Sequence, residues 1–349
     1  MTPILALDLG KFKTMVCCFD PARPDAAQFR TIATGVVSFE RLLMDEQPEF
    51  VVFETCTIAG WVSDLCTRLG IDHAVANPNG EAWRWRNVKR KTDRDDALKL
   101  ARLAAADELP VAPMPPPGMR QERQLQRHRD RLVSDRVATQ NNLRALTEAQ
   151  GLRMPTGAKA WSKQGLAVLD EWSKPLAECG VEELWRGVLH EELQKYRSLL
   201  ERESAVDAKL EERAATNPAV IRLRTIPGVG RCTAEVVANY LYDPARFDRA
   251  GEVSAYAGLV PRQYQSGEQD RRGRISKCGP RRLRRALVEA AWCLLRYNAW
   301  GARLFARLTK GQKTRRKAAI VAVARKLLIR CWGMLRKETD WAEPPTVAA

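Results

Sequence analysis

Two short apolar runs, each closed by a carboxylate, constrain this chain more than any other feature. Ile4-Leu5-Ala6-Leu7 ends at Asp8, and Phe50-Val51-Val52-Phe53 ends at Glu54. Both read as short strands, as do 14–19, 29–33 and 72–77, with helical patterns at 38–46 and 59–69 between or after them. This alternation predicts a compact α/β unit. From Asn79 onward the pattern turns helical: Ala97, Leu98, Leu100, Ala101, Leu103 and Ala104 keep the three-and-four spacing of one buried face. Asp93 and Asp96, three apart, then share a side of that helix.

Asp8, Glu54, Asp93 and Asp96 together suggest phosphodiester chemistry. Hard divalent cations take oxygen ligands, and two of them a few ångströms apart stabilise both the attacking and the leaving oxygen of a phosphoryl transfer. Strand-end carboxylates joined by an acidic pair on a helix are the arrangement of ribonuclease H-type nucleases. Each acid alone has a plainer reading, as a turn former, a helix cap or a solvated helix charge. Ala6-Leu7-Asp8-Leu9-Gly10-Lys11-Phe12-Lys13-Thr14 also looks like the first phosphate loop of actin-like ATPases, but no second Asp-x-Gly loop or Gly-rich adenosine loop follows in a convincing position.

Between Glu108 and Arg120 stand Pro110, Pro113, Pro115, Pro116, Pro117 and Gly118, a composition that ends a helix and favours a stiff, extended connector. Beyond it Leu125, Leu132, Thr139 and Leu146 recur every seven residues. Leu189, Leu193, Tyr196, Leu200 and Leu210 do much the same after a break near Gly151 to Gly165. Two long polar helices with narrow seams read as an antiparallel coiled coil or dimerisation arm, or equally as bundle helices packed on their own domain. Thr225-Ile226-Pro227-Gly228-Val229-Gly230-Arg231 has the signature of a helix-hairpin-helix turn, whose open N–H groups suit a phosphate.

Charge separates the two ends of the chain. Residues 216–349 hold 27 Lys and Arg against 10 Asp and Glu, leaving 31 against 32 for the rest of a chain whose net charge is +16. A basic segment beside a neutral one is the footprint of a polyanion-binding domain attached to something else. Nine scattered cysteines without a Cys-x-x-Cys pair, and only three histidines, argue against structural zinc and suit a reducing cytosol. With neither a secretory leader nor a run of eighteen apolar residues, a cytoplasmic protein is expected.

Ser266 is a further candidate. It lies in a Gly-flanked loop among Arg262, Arg271, Arg272 and Arg274, where cations could stabilise charge developing on a phosphodiester under attack. No histidine is near it in sequence, so activation would come from metals or carboxylates elsewhere.

These segments resemble the transposases, or recombinases, of the bacterial insertion-sequence 110 family, which join a RuvC-like domain with a D-E-D-D set to a C-terminal serine-bearing transposase domain. The N-terminal likeness rests on Asp8-Leu9-Gly10-Lys11, Glu54-Thr55, Asn77-Pro78 and Lys91-Thr92-Asp93-Arg94-Asp95-Asp96-Ala97. The C-terminal one rests on Ile226-Pro227-Gly228-Val229-Gly230, Ala257-Gly258-Leu259-Val260-Pro261-Arg262, Ser266-Gly267 and Gly273-Arg274-Ile275-Ser276-Lys277. The chain departs from the family pattern at Thr55-Cys56-Thr57-Ile58-Ala59-Gly60 and at Cys278.

The resemblance implies an α/β plus α fold: a RuvC/ribonuclease H-like domain (1–107), a Pro-rich linker (108–118), a helical coiled-coil arm (119–214) and a mainly helical, basic serine transposase domain (215–349). It implies metal-binding, catalytic acids at Asp8, Glu54, Asp93 and Asp96, a two-metal Mg²⁺ site, and Ser266 as the nucleophile that links covalently to DNA. Its expected partners are donor and target DNA, a noncoding bridge RNA, and further copies of the chain as a dimer or tetramer. Arg262, Arg271, Arg272, Arg274, Lys277, Arg281, Arg282, Arg284 and Arg285 are the expected nucleic-acid contacts. The alternatives are a RuvC-like structure-specific endonuclease using metal-activated water, and a noncatalytic nucleic-acid-binding protein.

Overall fold

A computed structural model describes residues 3–78, 92–266 and 269–343, the side chains of 264–266 and 269–272 excepted. The chain divides into two units, Met1–Arg120 and Gln121–Ala349, so the expected arm falls within the second.

The first unit runs β1 (Ile4–Leu9), β2 (Lys13–Phe19), β3 (Gln28–Ala33), α1 (Val36–Glu46), β4 (Phe50–Glu54), α2 (Ala59–Arg68), β5 (Asp72–Ala76) and α3 (Asp93–Ala105). Its five-stranded sheet has the order β3-β2-β1-β4-β5, antiparallel between the first three strands and parallel from β1 to β5. The apolar runs lack alternation because both faces are covered. Leu5, Leu7, Val51, Phe53 and Val75 pack with Phe39, Leu42 and Leu43 of α1 and Val62 and Leu65 of α2. Ala6, Cys17, Val52 and Ala76 meet Ala97, Leu100 and Ala101 of α3, where small side chains on both surfaces let helix and sheet approach closely.

The Pro-rich segment is more than a spacer. The Asn77 N–H donates to the Pro110 carbonyl (2.6 Å) and the Ala112 N–H to that of Val75 (2.7 Å), while Ala76 and Val111 form an antiparallel bridge. It therefore covers the open edge of β5, and prolines suit such a covering strand because they offer no N–H to a further one. The helix α4 (Pro117–Ala149) begins with Pro117 in its first turn, earlier than the expected arm.

In the second unit, α4 runs on beside α6 (Leu184–Thr216), with α5 (Lys163–Trp172) between them in sequence. Glu122 pairs with Arg213, Arg129 with Asp207, Arg136 with Glu203, and Gln140 donates to Tyr196. One index rises as the other falls, so the two helices are antiparallel. The expected seam needs correcting at its ends: Gln126, Leu143 and Thr147 are buried rather than Leu125 and Leu146, and Leu199 is buried where Leu200 is 38% exposed. A strict seven-residue spacing drifts about 20° per heptad around a straight helix, so its outer members leave the contact. At one end of the pair Leu143, Leu169, Leu189, Leu193 and Tyr196 make a small core, walled by Trp161, Trp172 and Trp185.

The remaining elements are α7 (Pro218–Arg224), α8 (Arg231–Tyr240), α9 (Ala250–Tyr256), β6 (Pro261–Ser266), β7 (Gln269–Ile275), α10 (Arg281–Tyr297), α11 (Ala299–Thr309) and α12 (Arg316–Lys337). α10 and α12 bury Leu283, Leu287, Ala291 and Leu294 against Val323, Leu327 and Leu328. Among the described residues no helix is long and apolar enough to cross a membrane.

Charges join α4 and α6 to α8. Arg231 bonds Asp207 and also reaches Glu211 and Glu235, each at 3.1 Å. Burial of Asp207 is outweighed by the hydrogen bonds of Arg129 and Arg231, which hold its carboxyl below the ordinary range. Glu235 goes the other way: burial pushes its carboxyl up although Arg231 is adjacent. A carboxyl raised on folding contributes stability that is complete below its unfolded value and is lost as pH rises through the folded one. Glu235→Gln should therefore raise the thermal midpoint at pH 7, and the gain should vanish as pH falls below the ordinary value near 4.5, in melts across that range. A gain independent of pH would assign the effect to packing.

Candidate catalytic residues

Strand pairing places the first two carboxylates. β1 and β4 are parallel, with Leu7 opposite Phe53, so Asp8 and Glu54 each follow the last recorded pair. Side chains alternate along a strand. Asp8 thus shares the face of Ala6, and Glu54 that of Val52, which is the side covered by α3. The fold brings these two acids to adjacent strand ends on one face.

Asp93 and Asp96 stand in the first turn of α3, with Asp95 between them. The geometry separates the three. Thr92 caps the helix by accepting from the Asp95 N–H (3.3 Å), while the Asp95 carboxylate accepts from the Thr92 N–H (3.0 Å) and hydroxyl (2.7 Å). Asp95 is thereby committed to a capping box, which the spacing alone could not tell. Asp93 is exposed and Asp96 half-buried. Residues 79–91, which lead into this helix, lie outside the described residues.

Oxygen donors of this kind suit a hard divalent ion. Among the described residues, however, no group of three or more His, Cys, Asp or Glu is drawn close enough to hold one. The strand-end pair is the part of the four-acid set that backbone pairing pre-places. Burial pushes the Cys17, Cys66 and Cys331 thiols up to about 12, which keeps these three in the unreactive thiol form.

Ser266 is the last residue of β6, paired with Gln269 of β7, and Gly267 and Glu268 lie outside the described residues. The base of this hairpin is tightly built. Ser276 and Lys277 donate from their N–H groups to the carbonyls of Val260 (2.8 Å) and Gly258 (3.1 Å). Gly258 (φ +65°) and Gly279 (φ +79°) sit where a Cβ would fall 2.1 Å from the Cys278 oxygen and 1.9 Å from the Tyr256 oxygen. No other residue fits this crossing.

The expected phosphate contacts divide by what they touch. Arg284 donates through one nitrogen to the carbonyls of Ala257 (3.1 Å), Cys278 (2.9 Å) and Gly279 (3.0 Å), clasping the hairpin base. Arg282 bonds Asp130 (2.9 Å) and Gln126 (3.1 Å) with only 17% of its side chain exposed. Both are committed within the chain, a role their place in a basic run concealed. Arg285 pairs with Glu289 at the surface (2.8 Å). Arg262, Arg274, Lys277 and Arg281 are exposed, and Arg271 and Arg272 lie on β7 opposite Tyr264 and Gln263. The expected helix-hairpin-helix turn joins α7 to α8; Gly230 caps α8 without a side-chain bond, and Gly228 (φ +91°) presses on Leu294. Arg231, which opens α8, is held by acids.

Family comparison adds to this geometry. A model described as the transposase IS116/IS110/IS902 family matches residues 221–307, and a DEDD transposase model matches residues 5–149. The transposase for insertion sequence element IS1328 of Yersinia enterocolitica is 28% identical over 324 residues, 92% of either chain. That for IS1111A of Coxiella burnetii is 33% identical over 210 residues, 59% of this chain and 56% of its own. The pilin gene-inverting protein of Moraxella lacunata is 34% identical over 118 residues, 33% of this chain and 36% of its own.

The division of arginines gives opposite expectations for neighbours in sequence. Arg281→Gln should leave thermal stability unchanged and lower the slope of log affinity for DNA against log salt by about one. Arg282→Ala should destabilise by about 1.5–3 kcal/mol, the loss of a charged hydrogen bond, in urea unfolding. Equal salt slopes for Arg281→Gln and wild type would remove Arg281 from the phosphate contacts.

Proposed function

Since the chain belongs to the insertion-sequence 110 family of transposases, we propose that it is an RNA-guided DNA recombinase that moves an insertion sequence, with Ser266 as nucleophile and a Mg²⁺-binding acid set. The observation that carries this reading is the order of two unlinked motif sets along one chain. A DEDD segment, with Asp8 and Glu54 at adjacent strand ends, precedes a basic helical segment that presents Ser266 on a clamped hairpin. A family of this type acts on DNA and carries out transposition. The pilin gene-inverting relative bears a name that speaks of DNA inversion, which the same exchange of strands would produce.

The sheet order, with a three-stranded antiparallel meander ahead of parallel strands, supports a ribonuclease H-like reading of the first unit. Its Asp8 and Glu54 would hold Mg²⁺ with Asp93 and Asp96, and the ion, when bound, supplies charge stabilisation at the phosphate and favours alkoxide formation. In the attack, the Ser266 Oγ–P bond forms, the bond from phosphorus to the leaving deoxyribose oxygen breaks, and the Oγ proton passes to a base. Return of a deoxyribose hydroxyl to the phosphoserine reverses these changes and joins a new strand. Exposed Arg262, Arg274, Lys277 and Arg281 would neutralise backbone phosphates, and Arg284 is a positioning residue that keeps the hairpin base in place. The bridge RNA, the assembly of several copies and action in the cytoplasm complete the reading.

Denaturing gels test it. Wild type incubated with labelled element-end DNA, its adjacent noncoding RNA and Mg²⁺ should yield a covalent protein–DNA adduct. Ser266→Ala should bind nucleic acid and give none, Ser276→Ala should retain adduct, and Asp8→Asn should lower its rate by orders of magnitude. DNA cut freely without any adduct in wild type would instead make the chain a RuvC-like nuclease that uses activated water.

A further inference from the structure

Phe12 has no place in the cores of the first unit. The ring is 74% exposed, whereas Phe19, Phe39 and Phe53 of the same sheet and helices are buried. It occupies the turn from β1 to β2, between the exposed Lys11 and Lys13, and the Lys11 ammonium lies 5.0 Å from its ring centre.

This turn is braced. The Phe12 carbonyl accepts from the Thr34 N–H (2.9 Å), and the Thr34 hydroxyl donates to the Gly10 carbonyl (2.9 Å). The Thr34 hydroxyl also meets that of Thr14 (2.8 Å), a residue with no exposed surface. A Cβ at position 10 would fall 2.3 Å from the Lys13 oxygen, so only glycine closes the turn. Little conformational freedom at the turn backbone is left to lose on binding, which favours a contact made there.

Position decides which contact. Phe12 follows Asp8 by four residues, or about 14 Å of chain at most. The turn lies at the sheet end where β1 and the parallel β4 finish, the end that carries Asp8 and Glu54. Just beyond Thr34 on the same side, Val36 and Val37 open α1 with 50% and 79% exposure. An exposed ring with the Lys11 ammonium over one face, and the exposed Lys13 next to it in sequence, matches the surface of a strand with an unstacked base between phosphates.

We propose that Phe12 is a DNA-binding residue that stacks on an unpaired base a few nucleotides from the phosphate presented to Asp8 and Glu54, with Lys11 and Lys13 on the flanking phosphates. This rests on the recombinase reading for the identity of the strand, while the stack itself is measurable without turnover. A protein surface is the other class of occupant, and it would leave base fluorescence untouched.

Full-length protein is titrated, with EDTA present, into single-stranded element-end oligonucleotides that carry 2-aminopurine at successive positions. Wild type should quench one position strongly. Phe12→Ala should lose that quenching and bind roughly tenfold to hundredfold more weakly, as expected for one lost base–aromatic stack, with an unchanged melting temperature. Phe12→Trp should restore both, and Lys11→Gln with Lys13→Gln should flatten the salt slope while keeping the quenching. Equal quenching by Phe12→Ala and wild type, or none by wild type at any position, overturns the stack. The two readings separate cleanly: quenching that depends on Phe12 without a Ser266 adduct keeps the stack and discards the recombinase. An adduct with quenching indifferent to Phe12 does the reverse.

Discussion

The pairing of β1 with β4 is the constraint on which the first unit depends. Both strands are buried on both faces, so a slip of one residue would exchange the side chains that meet α1 and α2 for those that meet α3. Ala6 would then face the large residues around Phe39 and Phe53, and Leu5 or Leu7 would be driven into the close contact with Ala97 and Ala101. The same register fixes the ends of the strands. Asp8 and Glu54 are therefore brought side by side by the packing of residues that have no chemistry of their own.

The second unit is organised by charge as much as by apolar contact. α4 and α6 carry a thin seam that includes Gln126, Thr139 and Thr147, too polar to hold two 33-residue helices by burial alone. Their ion pairs, Arg129 with Asp207 and Arg136 with Glu203, sit in partly shielded positions where such contacts count for more than at an open surface. Arg231 and Arg282 extend the network to α8 and α10. The near balance of charge in residues 1–215 reflects, in the helical pair, acids and bases that neutralise one another. The surplus in 216–349 has fewer acids within that stretch to meet, although Arg231 and Arg282 find theirs on α6 and α4.

The strands and first helices of the first unit were legible because their periodicities are local and their ends are marked by Pro, Gly or a carboxylate. The long pair was legible as two helices but open between coiled coil and bundle, and β6 and β7 stand where a Gly-flanked loop was expected. What escaped the sequence depended on partners distant along the chain. Arg281, Arg282, Arg284 and Arg285 read alike as one basic run. Asp130, 152 residues earlier than Arg282, makes that arginine structural, and the carbonyls of Ala257, Cys278 and Gly279 do the same for Arg284. Asp93 and Asp96 were singled out by the sequence, but the commitment of the intervening Asp95 to a capping box with Thr92 was not. Phe12 lay within a segment that resembled a phosphate loop, and only its exposure sets it apart.

The two proposed reactive places are built on different backbones, buried parallel strands for one and a two-stranded ribbon for the other. Carboxylates that hold a cation must be in place beforehand, because moving charges together at the moment of reaction would cost much of what they stabilise. Buried parallel strands give Asp8 and Glu54 that fixity. Ser266, the proposed nucleophile, sits instead at the end of a two-stranded ribbon, a structure that is marginal by itself. The ribbon's order comes from its base, where Gly258, Gly279 and Arg284 lock two crossing segments. In the proposed reaction that fixed base would determine where the backbone of β6, and with it Ser266, comes to an end.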